Sequence, residues 1–293
     1  MNLREVLEDA SRRKVAVGHF NISDNVAFEA IVEAAQKLGV PVMVGVSEGE
    51  RDFLGLEEAV ALVQSVRKAH NLPIFLNADH THSLERVRQA AEAGFDEILF
   101  DGSKLSLTEN IAQTKEAVAI VKKINPAILV EGEVGYIGSS SEILKEIPQG
   151  AALSPEAMTT PEEAARFVKE TGVDAFAPAV GNMHGLLTSM VHGDVKKRLD
   201  IERIRAIRAA VPATYLTLHG GSGTADEDFT AAIAAGVNII HINTEIRLAW
   251  REGMEEGLKA HPDEVAPYKI MPEAKAKIFE IVLARLKLFN GLS

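Results

Sequence analysis

Residues 77–83 read NADHTHS, and the apolar run Ile74, Phe75, Leu76 leads straight into Asp79, His80 and His82. A strand built only to fold ends in turn residues such as Gly, Asn or Pro. An acid and imidazoles in that place can bind a metal or move a proton. The same residue types recur where other apolar runs end. Glu131 and Glu133 close AILVEGE, His184 lies in VGNMHG, His219 precedes GGSG, and His241 and Asn243 close NIIHIN. Four of the nine histidines (His80, His184, His219 and His241) therefore end four different segments, and His19 lies near the end of a fifth. His70, His82, His192 and His261 are scattered.

One histidine so placed is as readily a hydrogen-bonded structural residue. Several, converging with a carboxylate, favour a metal. Histidine and glutamate without cysteine form the ligand set of a catalytic zinc, cobalt or manganese site, with a position left for substrate. The chain has no cysteine, which excludes disulfides, thiolate sites and thiol nucleophiles. Asp79 beside His80 reads as a proton donor and acceptor, or alternatively as a carboxylate orienting a ligand imidazole. The stretch 219–223, HGGSG, offers backbone amides to an anion, and the helix opening at TEIR (244–247) adds its positive end. The plainer alternative is a glycine-rich turn.

These residues need a scaffold that brings strand ends together. Strand-like runs fall at 15–20, 41–47, 73–80, 96–101, 127–133, 174–180, 213–219 and 238–243, with amphipathic helical stretches between them. Their continuous apolar character suits a parallel sheet covered on both faces. Eight such units in 293 residues predict a single α/β domain over 1–293, a closed (β/α)8 TIM barrel. An N-terminal helix precedes it and an extra helix over 272–289 follows. In a barrel the C-terminal strand ends build the site. An open doubly wound sheet is the alternative, weakened because no GxGxxG follows the first strand. The longest irregular stretch, 134–160, reads as a functional or mobile loop. SEGERDFLG (47–55) reads as a solvated loop, with Arg51 reaching a phosphate as the lesser reading. A net charge of −11 argues against nucleic acid. No apolar run of about 18 residues suggests a membrane span, so a cytoplasmic protein is the expectation.

Taken together, FNISD (20–24), PVMVGVS (41–47), NADH (77–80), FDGSKLSLTENIAQTKEAV (100–118), VEGEVGYIG (130–138), VGNMHG (180–185), LHGGSG (218–223) and INTEIR (242–247) carry a family resemblance. The sequence resembles the class II, metal-dependent fructose-bisphosphate aldolases, which include the tagatose-bisphosphate aldolases, over nearly its whole length. The resemblance implies cleavage of a ketose 1,6-bisphosphate to dihydroxyacetone phosphate and glyceraldehyde 3-phosphate through a metal-stabilised enediolate. It implies a metal, zinc foremost, with cobalt, manganese or iron(II) as alternatives, held by His80, His184 and His219, with Glu133 as a fourth or alternative ligand. Asp79 would exchange the proton of the C4 hydroxyl. Asn21 and Ser47 would line the sugar pocket. Gly220, Gly221, Ser222, Gly223 and Thr244 would cradle the phosphate, with Asn243 nearby. A sodium or potassium ion near GGSG and a homodimer or homotetramer also follow from it.

Two departures stand out. The glutamate that the family uses as base in the loop after the fifth strand is Ser141 here, with Glu142 one residue on. An asparagine expected to contact substrate is His241, Asn243 takes an Asp/Ala position, and Ile239 replaces a lysine. His241 or Glu142 becomes the candidate base. Related aldolases for another ketose, and a noncatalytic binding paralogue, are the alternative readings.

Overall fold

The computed structural model describes residues 1–138, 141–191 and 195–293; His192 lies outside them. The described strands, in chain order, are β1 (Val17–Asn21), β2 (Val42–Val46), β3 (Ile74–Thr81), β4 (Glu97–Phe100), β5 (Leu129–Val134), β6 (Ile143–Leu144), β7 (Ala175–Pro178), β8 (Leu186–Leu187), β9 (Tyr215–Leu218) and β10 (Val237–Ile242). Helices α1 (Leu3–Arg13), α2 (Asn25–Leu38), α3 (Glu48–Leu54), α4 (Leu56–His70), α5 (Leu84–Ala93), α6 (Leu107–Ile124) and α7 (Pro161–Thr171) alternate with the strands. The chain continues through α8 (Thr188–Val191), α9 (Ile201–Ala210), α10 (Asp226–Ala234), α11 (Thr244–Ala260), α12 (Pro267–Ile270) and α13 (Pro272–Phe289). No described helix is long and apolar enough to cross a membrane.

All strands except β6 and β8 close one barrel in the order β1, β2, β3, β4, β5, β7, β9, β10, every pairing parallel. The closed (β/α)8 barrel expected from the strand pattern is the fold observed, and each of the eight expected segments overlaps one barrel strand. β6 and β8 pair only with each other, inside the loops above the barrel.

Alternation along each strand sorts its side chains into two sets. Phe20, Val42, Val44, Val46, Ile74, Leu76, Ile98, Phe100 and Val130 point outward into the core shared with the helices. Val17, Met43, Phe75, Leu129 and Ile239 point inward. They meet Leu3, Val6, Leu7 and Ala10, so α1 plugs the barrel at its N-terminal end. That helix is fixed by a capping box in which Asn2 and Glu5 satisfy one another's backbone amides. The next inward layer is polar and fully buried: His19, Asn77, Glu97, Glu131 and Thr217. Above it lies the mouth. On the outside, α13 packs against α2, α11 and β1, burying Ile278, Val282, Leu286 and Phe289. The extra helix thus covers the barrel exterior.

Candidate active site

Strand alternation should send Asp79 and His80 to opposite faces. The structure resolves the conflict in the backbone. His80 adopts φ +44°, a left-handed conformation uncommon outside glycine, and the β3–β4 register shifts between Ala78 and Thr81. This bulge turns His80 over the rim, so acid and imidazole both reach the mouth. His80 Nδ1 then hydrogen-bonds Asp101 Oδ2 at 2.8 Å.

His80, His184 and His219 converge there, each offering a nitrogen within 4.8 Å of the others'. Each ring has its other nitrogen tied to an acceptor. His80 Nδ1 faces Asp101, His184 Nδ1 faces the Gly138 carbonyl at 2.9 Å, and His219 Nε2 faces Glu131 Oε1 at 2.7 Å. An acceptor on one nitrogen places the proton there and leaves the lone pair of the other free for a metal.

The electrostatics ask for a cation. Burial works against a charged His80, but Asp79, Asp101 and Glu133 outweigh it and raise its pKa to about 10. Burial, with His80 and its neighbours adding, pushes His184 and His219 down to about 3, so they stay neutral. Burial raises the Glu133 carboxyl well above its usual range, and Glu133 Oε2 has no partner among the described residues. Three imidazoles converging among the Asp79, Asp101 and Glu133 carboxylates suit a divalent metal.

The cavity above them, about 430 Å³, is lined by Asn21, Ser47, Asp79, His80, Glu142, His184, His219, Gly220, Ser222, His241, Asn243 and Thr244. Most expected site residues therefore share one space. Asp79 Oδ2 accepts from Asn21 Nδ2 at 2.9 Å, while its Oδ1 is buried and has no hydrogen-bond partner among the described residues. Although burial opposes ionisation, His80, His19 and His219 together with Asn21 hold this carboxyl well below the ordinary range. His241 stacks flat on His19, ring centroids 3.4 Å apart, with Nδ1 3.6 Å from Asp79 Oδ1 and Nε2 without a hydrogen-bond partner among the described residues. Burial keeps His241 well below its usual pKa.

Some expected residues sit differently. In the glycine-rich turn only Gly220 and Ser222 line the cavity. Gly221 donates its amide to the His241 carbonyl and Gly223 to Glu245 Oε1, so neither amide is free for an anion. Glu133 lies beneath the mouth, its Oε2 3.7 Å from His80 Nδ1. Glu142 is exposed at the rim. Arg51 corrects the reading of 47–55 as a solvated loop. It is 2% exposed and donates to the carbonyls of Val46 and Asp79 and to Thr81 Oγ1, bracing the β3 bulge from below.

Asp101, Arg247 and Glu50 escaped the sequence reading, and Glu131, noted there as a strand-end carboxylate, was given no role. Asp101 and Glu131 orient ligand-side imidazoles, and the available signal was their position at inward strand ends. Arg247 lines the cavity and pairs with Glu50 Oε1 at 2.7 Å. Its signal was helical spacing, since Thr244 and Arg247 share a face of α11. Glu50 also accepts from Asn21, at 2.9 Å.

The model of the class II fructose-bisphosphate aldolase family matches residues 1–292. The chain is 33% identical to a 6-phospho-5-dehydro-2-deoxy-D-gluconate aldolase of Bacillus licheniformis, covering 99% of this chain and 95% of that protein. It is 31% identical to a fructose-bisphosphate aldolase of Geobacillus stearothermophilus, covering 99% and 97%. The crystal structure of the YdjI aldolase of Escherichia coli superposes with a TM-score of 0.80 at 28% identity, covering 98% of this chain and 96% of that one. The family model and these relatives span nearly the whole chain, and the chain belongs to the metal-dependent class II fructose-bisphosphate aldolase family of lyases.

Proposed function

We propose that the protein cleaves a phosphorylated ketose, with fructose 1,6-bisphosphate the first candidate, to dihydroxyacetone phosphate and an aldehyde. The observation that carries this reading is one cavity that brings together His80, His184 and His219, an Asp79 oxygen with no hydrogen-bond partner among the described residues, and Ser222 and Thr244 at the start of α11. His80, His184 and His219 would hold the metal, zinc foremost, with Glu133 in reserve. Bound there, a divalent metal supplies Lewis-acid polarisation of the ketose carbonyl.

The protein's own groups do the rest. Asp79 Oδ1, ionised and unpartnered, takes the C4 hydroxyl proton as the C3–C4 bond breaks. The bonding pair stays with the ketone half and the other half leaves as an aldehyde. Asn21 fixes Asp79 by its other oxygen. The phosphate is received by the amides of Ser222 and Thr244, which donate to nothing among the described residues, at the positive start of α11. Arg247 supplies the nearby cation.

The test is to quantify bound metal and follow triose phosphate release with and without EDTA. The substrates are fructose 1,6-bisphosphate, tagatose 1,6-bisphosphate and 6-phospho-5-dehydro-2-deoxy-D-gluconate, the last because relatives carry that name. EDTA-sensitive release from one of them is expected. No release from any, with metal bound, sinks the proposal.

A second reading keeps the reaction type and changes the ketose, with His241 as base. It is favoured by the unpartnered His241 Nε2 in the cavity wall. Proton exchange on dihydroxyacetone phosphate in His241→Asn and Glu142→Gln separates the two candidate bases: the variant that loses exchange identifies the group.

A further inference from the structure

In the run Lys196, Lys197, Arg198 only the middle residue turns inward; Lys197 is 5% exposed. No carboxylate pairs with it among the described residues. Its ammonium instead donates to three backbone carbonyls: Met183 at 2.5 Å, Gly185 at 2.7 Å and Gly220 at 3.2 Å. An ammonium has three N–H donors, so all are satisfied. Burying such a charge is costly unless it is fully bonded, and here it is bonded only by main chain.

The three carbonyls are not randomly chosen. Met183 and Gly185 flank His184, and Gly220 follows His219. The lysine backbone is held to the same turn, with its amide donating to the Gly223 carbonyl at 2.8 Å and a parallel bridge to Thr224. A ring of backbone carbonyls is also what replaces the water shell of a potassium ion. The structure therefore offers a cation site whose occupant is covalently part of the chain.

We infer that the Lys197 ammonium is a built-in monovalent cation that ties the loop of His184 to the turn after His219 and so sets the spacing of two metal-binding imidazoles. Lys197 is a positioning residue. Its carbonyl ring, vacated, accepts potassium or ammonium from solution, whereas the wild-type protein, with Lys197 in place of the sodium or potassium ion expected near GGSG, needs neither. The inference rests on the reading of His184 and His219 as metal ligands.

The experiment compares wild type with Lys197→Met, which keeps the apolar stem. Zinc affinity is measured by competition with a chelator, and Tm by calorimetry. Both are read in potassium, ammonium and tetramethylammonium chloride at equal ionic strength, the last cation being too large for the ring. Wild type is expected to be the same in all three. Lys197→Met is expected to bind zinc about 10–100-fold more weakly in tetramethylammonium. Affinity and Tm should recover, saturably, in potassium or ammonium. Folding of the variant only in potassium or ammonium is the same result in stronger form. If it folds in none, Lys197→Gln takes its place.

A variant weakened equally in all three salts overturns the inference, because loss of packing alone is not rescued by a cation. So does a variant as tight as wild type throughout, or a wild-type protein that itself tightens with potassium. None of these readings needs turnover. A protein that cleaves no tested ketose phosphate yet shows this cation dependence loses the assigned reaction and keeps the role of Lys197. A wild type that binds no zinc refutes the ligand reading, and the Tm arm then still decides whether the ring takes up a cation.

Discussion

At the scale of single residues the mouth divides labour by which atom is left unbonded. Asp79 spends one oxygen on Asn21 and keeps the other for the cavity; each of the three imidazoles spends one nitrogen on an acceptor and keeps the other. Asp79→Ala should lower cleavage about 10²–10⁴-fold, the range for a positioned acid–base group. Bound metal, measured by atomic absorption, should stay at the wild-type level; a parallel loss of metal would make Asp79 a ligand. His19 supports a pH prediction. Burial, with His219 adding, lowers its pKa to about 4 from 6.5, so it is neutral in the folded chain. The unfolded chain takes up the proton first as pH falls. The stability is therefore present above about pH 6.5 and is lost as pH drops toward 4. The unfolding free energy from denaturant titration should fall less between pH 7 and 4 in His19→Gln than in wild type, by up to about 3 kcal/mol from a shift of this size. Identical slopes would remove His19 from the acid response.

At the scale of elements, two backbone departures build the site. The first is the β3 bulge, where His80 takes a left-handed conformation and Arg51 holds the carbonyls beneath it. A strand continuing regularly would point His80 into the helix layer. The second is the turn after β9. Gly220 has φ +61°, and a Cβ there would lie 2.5 Å from the Met183 carbonyl oxygen. Gly220→Ala therefore meets both left-handed strain, about 1–2 kcal/mol, and a backbone clash. Its unfolding free energy should drop by about 2 kcal/mol or more, and KM should rise because the cavity-facing Ser222 moves with the turn. An unchanged KM in a destabilised variant would separate this turn from substrate binding.

At the scale of the whole molecule the barrel is layered: an apolar floor made with α1, a polar middle of His19, Asn77, Glu97, Glu131 and Thr217, and the reactive mouth. The floor is remote from chemistry but closes the barrel. Leu7 is fully buried there, so Leu7→Ala should cost about 2–5 kcal/mol by chemical denaturation. KM should be unchanged in the folded fraction. A cost below about 1 kcal/mol would mean that α1 does not seal the floor. The polar middle layer carries the stacked His19–His241 pair upward to Asp79, which is how a position in β1 comes to bear on the mouth.

The local pattern was enough for much of this. Apolar runs of strand length, alternating with amphipathic helices, predict the eight-strand barrel, and C-terminal strand ends with the loops after them put Asp79, His80, His184, His219 and His241 at one end of it. Both follow from short-range periodicity, which any folded form of the chain must respect. The rest depends on closure. That His80 turns over the rim, that His19 stacks on His241, that Arg51 is buried under β3, and that Lys197 fills a ring of carbonyls all require contacts between segments far apart in sequence. Charge and side-chain type read the same for a solvated lysine and for one that bridges two loops. Only the packed barrel, by removing water and bringing three carbonyls to one point, distinguishes them.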